Sequence, residues 1–363
     1  MNNQNNCFDT RRILIIVVAT VWALFQLYTG IFGTFSIFVQ RGVHLAFGVP
    51  LAFLVFPTFK KKTSLLIDLI LACIAASVFA YISIIDDHIV RRLIYVEPLS
   101  VEKIAIGLLG TLLVMEIARR SVGYFFAILA LLFFLYIFFG SYIPGIFGHR
   151  GFDLKIAVEQ IFYTSEGIFG IPVGVSSTYV FLFIMFGVFL ETTGGGKFFM
   201  DFVTSLVGHK TGGPAKVSVF SSASMGMISG SAMANVVTTG AFTIPLMKKI
   251  GFDDEYAAGV ESMASTGGQL TPPILGVAAF IMAQFSGYPY AKIAAASIIP
   301  AILYYNSAFW QIHFYSIRNN VPRIPKEQLA SSRMVLKNGW FYITPLIVIV
   351  YFLIKGYTPT AAA

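Results

Sequence analysis

The run Ser229-Gly-Ser-Ala-Met-Ala-Asn235, followed by Ser265-Thr-Gly-Gly-Gln-Leu-Thr-Pro-Pro-Ile274, breaks otherwise apolar sequence with small, polar and helix-disrupting residues. In hydrocarbon every backbone N–H and C=O must be satisfied internally, and each orphan costs several kcal/mol. Irregular backbone of this kind therefore persists only where it lines a cavity or binds something. Two broken segments in apolar sequence are the pattern of a secondary transporter's binding site.

The setting of those segments is a membrane. Of 363 residues 57% are hydrophobic and 12% charged, against about 25% charged in soluble domains, and the mean hydropathy is +0.78. This composition specifies an all-α, polytopic integral membrane protein. The 36 phenylalanines suit lipid-facing surface and the 32 glycines suit close helix contact and helix breaks. A formal charge of +8 is read here as topology, with no nucleic-acid partner. Cys7 and Cys73 stand alone, without metal or redox spacing.

Apolar stretches that can span lie at 13–39, 43–59, 64–85, 101–118, 122–143, 174–191, 274–286, 291–317 and 339–354. The first follows Arg11-Arg12 but is far longer than the ~7 to 15 residues of a signal-peptide core, so it reads as an uncleaved helix. With the N-terminus in the cytoplasm, Lys60 to Lys62, Arg119-Arg120, Lys210, Lys216, Lys248-Lys249 and the basic residues from Arg318 to Lys337 fall inside. The outer side keeps few basic residues, as the positive-inside rule requires. That balance holds only if 212–249 enters and leaves on the cytoplasmic side, as a re-entrant hairpin with its tip at 229–235.

Three regions follow: five apolar helices over 1–145, an amphipathic connector over 146–173, and 174–363 with the re-entrant hairpin 212–249 and a broken helix 253–286. Within the connector, Ile156, Ala157, Ile161 and Phe162 recur at helical spacing beside Lys155, Glu159 and Gln160, which fits a helix on the membrane surface. A similar run, 197–206, follows Gly194-Gly-Gly196.

The hairpin tip offers the Ser229 and Ser231 hydroxyls, the Gly230 backbone and the Asn235 amide, all oxygen donors without formal charge, of the kind hard monovalent cations such as sodium prefer. In the second segment Pro272 and Pro273 remove amide donors, which leaves the carbonyls around Gly267, Gly268 and Thr271 for a cation. Helix N-termini at the breaks favour a carboxylate; candidate solute contacts are Ser231, Ala232, Asn235, Thr266, Gln269 and Pro273. The competing reading of Ser-Gly-Ser-Ala-Met-Ala is a small-residue helix-packing face.

Ile228-Ser-Gly-Ser-Ala-Met-Ala-Asn-Val236, Thr239-Gly-Ala-Phe-Thr-Ile-Pro-Leu-Met-Lys248 and Val260-Glu-Ser-Met-Ala-Ser-Thr-Gly-Gly-Gln-Leu-Thr-Pro-Pro-Ile-Leu-Gly276 resemble the large membrane subunit of tripartite ATP-independent periplasmic (TRAP) transporters. Glu166-Gly-Ile-Phe-Gly-Ile-Pro172 and Phe186-Gly-Val-Phe-Leu-Glu-Thr-Thr-Gly-Gly195 are similar to fused small-plus-large permeases that pair with TAXI-type binding proteins. The likeness covers about 160–355. Over 1–143 the small subunit is matched in hydropathy and position alone.

The resemblance implies an elevator-type transporter in a bacterial or archaeal cytoplasmic membrane. It also implies sodium as coupling ion, no organic cofactor, and an organic acid delivered by a TAXI-type periplasmic protein. Family large subunits carry a second, inverted hairpin and broken helix, whereas this chain stops at Thr358-Pro-Thr-Ala-Ala-Ala363. The expectation is a half that needs a complementary half and does not transport alone; the alternative is a non-transporting scaffold or an inactive fragment.

Buried ionisable groups are functional candidates in a membrane. Glu261 reads as hydrogen-bonding to the broken loop, with stabilisation of a nearby cation as the alternative, Glu191 as a cap or an interfacial group, Glu116 as an interfacial i, i+3 or i+4 partner of Arg119 and Arg120, and Asp68 as snorkelling towards Lys60 to Lys62. His44 and His313 show no partner pattern. An enzyme is not expected: Gly208-His-Lys-Thr-Gly-Gly213 lacks phosphate-loop spacing, and no histidine-containing catalytic set accompanies the serines.

Overall fold

The computed structural model describes residues 2–58 and 63–363; the side chains of 2–10, 63, 64 and 328 are outside the description, and so is the expectation for Lys60 to Lys62. The described residues form helices and no strand. Six helices are long and apolar enough to cross a membrane, near 11–32, 37–55, 65–84, 124–142, 171–192 and 290–318, and a seventh span results if the bent pair Ser332–Tyr342 and Thr344–Ile354 counts as one. The chain divides into two compact units, 1–178 and 179–363. Residues 146–173 belong to the first.

In the first unit α1 (Asn2–Phe32), α2 (Ile37–Val55), α3 (Thr63–Ile84), α4 (Asp86–Arg91), α5 (Val101–Ser121), α6 (Tyr124–Phe139), α7 (Leu154–Phe162) and α8 (Ile171–Val175) follow in order. Its core gathers Phe38, Phe53, Phe79, Phe162 and Phe169. α5 starts where the Ser100 side chain accepts the Lys103 N–H, a standard N-cap. α6 is apolar all round and buries no residue within the unit, which suits a lipid-facing helix. The amphipathic run at α7 differs from its expected surface position: Val158 and Phe162 are fully buried in the core, and Glu159 pairs with Arg92.

The expected reach of Asp68 towards Lys60 to Lys62 lies outside the described residues; its described partners are two arginines and a threonine. It is wholly buried and accepts from Arg11 at 3.0 Å, from Arg120 at 2.7 Å and from the Thr58 hydroxyl at 2.7 Å. Two of its counter-charges come from distant helices, Arg11 on α1 and Arg120 on α5. Arg120 lies over the Phe53 ring at 4.8 Å and also bonds Glu116 at 2.7 Å, while Arg119 grips the same carboxylate. The expected Glu116 pairing is present. A second polar cluster joins Gln26 to His44 at 2.8 Å, His44 to the Ser176 hydroxyl at 3.1 Å, and Gln40 to the Ser177 carbonyl at 2.7 Å. These mid-helix polar groups bond one another across α1, α2 and residues 176–177, which is how such groups are tolerated in hydrocarbon, while the Gln26 Oε1 is left buried without a hydrogen-bond partner.

The second unit comprises α9 (Phe181–Thr192), α10 (Gly195–Val207), α11 (Gly213–Ser229), α12 (Ala232–Ile250), α13 (Asp254–Gly267), α14 (Val277–Ser286), α15 (Tyr290–Arg318), α16 (Ser332–Gly339), α17 (Thr344–Ile354) and α18 (Pro359–Ala362). α11, α12 and α13 pack on one another and α15 crosses α11 and α13. Ala215, Val219, Met247, Phe252, Ala257, Val260, Ala308 and Ile312 form their shared core. The apolar face of α10, with Phe198 and Phe199, is buried against Leu190, Met225, Ile228 and Leu346. The stretch 339–354 is not one straight span, because the chain bends by 54° between α16 with its following turn and α17.

Candidate cation and solute site

α11 and α12 form a hairpin whose reversal takes two residues. Gly230 adopts φ 58° and its N–H bonds the Gly226 carbonyl at 2.9 Å, a left-handed helix stop that favours glycine. A Cβ there would also lie 2.6 Å from the Leu275 carbonyl oxygen. Ser231 caps α12, its hydroxyl accepting the Ala234 N–H at 3.3 Å, and the Ser229 hydroxyl accepts the Ser231 N–H at 3.3 Å.

The second segment is broken as expected. α13 ends in a tight turn over Gly268–Leu270, residues 271–276 run non-helically through a cis Pro272-Pro273 bond, and α14 resumes at Val277. Of the carbonyls expected to be free, those of Gly267 and Gly268 are already engaged. Thr271 donates its hydroxyl to Gly267 O at 2.9 Å, and its N–H goes to Gly268 O at 3.2 Å. Gly276 N–H bonds Gln269 O at 2.9 Å, and the Tyr290 hydroxyl bonds Pro273 O at 2.8 Å. Each carbonyl keeps a second lone pair.

Hairpin and break meet at backbone distance. A Cβ on Gly268 would lie 2.8 Å from the Gly226 Cα, so this approach tolerates no side chain. Asn235 sits beside it, 1% exposed, donating Nδ2 to Ser222 O at 2.8 Å. Its Oδ1 is buried without a partner, as is the Ser221 hydroxyl. A buried orphan acceptor is destabilising unless something supplies positive charge or a donor.

The expected site residues do not all converge. Ser229, Gly230, Ser231 and Gln269 line one cavity of about 660 Å³, otherwise mainly apolar, with Phe183, Ile274, Val277 and Phe280. Thr271 and Pro272 line another of about 550 Å³, beside Phe220, Tyr305 and Phe309. Pro273 lies on a third, of about 260 Å³. Gly267 is held under Tyr304 and Tyr305. Thr266 is exposed, with its hydroxyl turned back to Ser262 O at 2.8 Å, and Ala232 lines none of the three cavities. The structure therefore unites Asn235 with Gly268, and the hairpin tip with Gln269, as separate groups.

Glu261 is wholly buried and reaches the expected broken segment only at its first residue, Ser265. Its carboxylate accepts from hydroxyls on three helices: Ser218 at 2.7 Å and Ser222 at 3.2 Å from α11, Thr239 and Thr243 from α12, and Ser265 at 3.0 Å from α13. Apart from Ser265, at the head of the broken segment, these hydroxyls were not singled out above, yet a signal was present: Ser218/Ser222, Thr239/Thr243 and Glu261/Ser265 are each spaced i, i+4, one face of a helix. Glu191 accepts from Thr238 at 2.7 Å, tying α9 to α12, where a cap or an interfacial role was expected. His313 does have a partner, with Nδ1 3.1 Å from the buried Lys216 Nζ, which lies 3.9 Å from the centre of the Phe309 ring.

A hairpin with a two-residue turn laid against a helix broken at a Gly-Gly step, inside an apolar bundle, agrees with comparison of the sequence to known proteins. A family model described as tripartite ATP-independent periplasmic transporter, DctM component, matches residues 109–363. The chain belongs to this family. Relatives of this TRAP permease include the sialic acid TRAP transporter permease protein SiaT of Haemophilus influenzae, 30% identical over 50% of this chain and 29% of its own. The C4-dicarboxylate TRAP transporter large permease protein DctM of Pseudomonas aeruginosa is 28% identical over 50% of this chain and 42% of its own. The 2,3-diketo-L-gulonate TRAP transporter large permease protein YiaN of Escherichia coli is 29% identical over the same shares. The chain thus spans less than half the length of these relatives. The family match begins at 109, upstream of the region where the motifs lie.

Proposed function

We propose that this chain is the permease component of a sodium-coupled secondary transporter that imports an organic acid handed over by a TAXI-type periplasmic binding protein. The observation that carries the reading is the orphan Asn235 Oδ1, buried beside the backbone contact of hairpin and break. A hard monovalent cation takes neutral oxygen ligands, and this is a neutral oxygen with nothing else to bond. The cavity at Ser229, Gly230, Ser231 and Gln269 is the place for the solute, where the N-terminus of α12 favours negative charge. In the elevator reading the second unit carries ion and solute together, with a complementary half completing the polar site.

Asn235→Ala removes that oxygen, and Ser231→Ala removes the hairpin-tip hydroxyl. In the complete transporter, reconstituted with loaded binding protein, Asn235→Ala is expected to raise the sodium concentration for half-maximal uptake about tenfold. That corresponds to about 1.4 kcal/mol, inside the about 1 to 3 kcal/mol range for a lost buried polar partner. Ser231→Ala should act in the same direction by less. Unchanged sodium dependence in both would return the motif to helix packing.

The same reading places the N-terminus, Lys248 and Lys249 in the cytoplasm of a bacterial or archaeal cell, with the hairpin entering and leaving on that side. Lys249→Cys in a background free of Cys7 and Cys73 is expected to resist an impermeant maleimide in intact cells and to react in inside-out vesicles. Labelling from the outer face would remove the re-entrant assignment.

A further inference from the structure

Glu261 is a carboxylate with zero exposure, and the family reading assigns it no task. Five hydroxyls surround it. Among the described residues no lysine, arginine or histidine nitrogen lies within ion-pair distance of its oxygens. The ionisable side chains on the packed helices are otherwise occupied or distant in sequence from the cage. On α11 Lys216 bonds His313 of α15. On α12 Lys248 pairs with Asp254 of α13 at 2.9 Å, and Lys249 is exposed. On α13 Glu255 is exposed and Tyr256 stacks on Tyr315 of α15, while Tyr304 and Tyr305 of α15 donate to the Met263 and Ala264 carbonyls.

Hydroxyl dipoles lower the energy of a buried anion, but they leave its net charge in place, and an uncompensated charge in a low-dielectric interior is strongly unfavourable. The cage also leads straight to the orphan acceptor. Ser222 donates to Glu261 through its hydroxyl and receives Asn235 Nδ2 on its carbonyl; the Thr239 hydroxyl contacts both Glu261 and the Asn235 carbonyl. Glu261 therefore stands one residue behind Asn235 along two routes.

We propose that Glu261 is the fixed negative charge that recruits one monovalent cation to this unit, acting as a positioning residue through Ser222, Thr239 and Asn235. The inference rests on the cation reading above and goes beyond it by naming the source of the charge. The cation is sodium at the orphan Asn235 Oδ1, where it would offset the carboxylate behind it.

The test is the melting temperature of the purified chain in detergent, measured against sodium at constant ionic strength with choline, and separately against pH from 5.5 to 8.5. Sodium is expected to raise the wild-type melting temperature. Glu261→Gln, which keeps shape but not charge, should then need about tenfold more sodium or more for the same effect, because the Coulomb attraction is gone. Glu261→Asp should recover most of that response. If the wild type ignores sodium but its melting temperature depends on pH, and Glu261→Gln abolishes that dependence, sodium coupling falls and this proposal falls with it. If Glu261→Gln and Glu261→Asp shift the melting temperature equally at every sodium concentration and pH, Glu261 is structural only and the proposal is overturned. Should neither variant fold, a wild type indifferent to sodium overturns it as well.

Discussion

Asp68→Ala is expected to destabilise the first unit by about 3 to 5 kcal/mol, the range for removing one partner of a buried ion pair. Asp68 is fully buried and receives Arg11 and Arg120, and the side chain of Arg120 is itself only 4% exposed. Deleting the carboxylate leaves Arg120 with Glu116, the Phe56 carbonyl at 3.3 Å and the Phe53 ring, and leaves Arg11 with the Leu54 carbonyl at 2.6 Å and the Phe53 carbonyl. The loss falls on α1, α3 and α5 together, because those helices meet at this side chain. Denaturant-dependent unfolding of the purified protein in detergent would show it as a lowered midpoint. A variant whose midpoint stays within the equivalent of about 1 kcal/mol would place the cluster among solvated pairs that contribute little.

Gly268→Val is expected to be nearly as damaging, by about 3 kcal/mol, the upper end for overpacking. The obstacle is backbone: the Gly226 Cα stands 2.8 Å from where the new Cβ would be, so no rotamer relieves it. Relief requires α11 to move away from the break, and that movement opens the contact beside Asn235. The variant should therefore lose both thermal stability and its response to sodium, whereas Thr266→Val, at an exposed position whose hydroxyl only bonds its own helix, should keep both. A Gly268→Val protein melting with the wild type would show that hairpin and break are not held together as described.

The comparison of these two substitutions marks what was legible in the chain and what was not. Helix positions and the two interruptions follow from local chemistry. Apolar runs of about 20 residues must be helical in lipid, Gly230 stops a helix by its left-handed conformation, and Pro272-Pro273 removes the donors that would continue one. Glu116 with Arg119 and Arg120 is local as well, because i, i+3 and i+4 neighbours share a helix face. All of these depend on residues close in sequence, so spacing alone announces them.

What tertiary structure decided is which distant groups share a location. Asp68 finds its charges 57 residues before it and 52 residues after it, and Glu261 collects hydroxyls from as far as 43 residues away. The amphipathic faces of α7 and α10 signal burial in the sequence, but whether lipid or protein covers them is set by the helices available nearby. The list of site residues divided for the same reason: a break in a helix sends successive residues in different directions. Thr266, Gly268, Gln269 and Thr271, neighbours in the chain, come to face an exposed helix surface, a glycine contact, one cavity and another. Sequence determined where regular backbone hydrogen bonding fails in this protein; only packing determined which oxygens are left to bind something there, because that depends on what each freed group meets across the bundle.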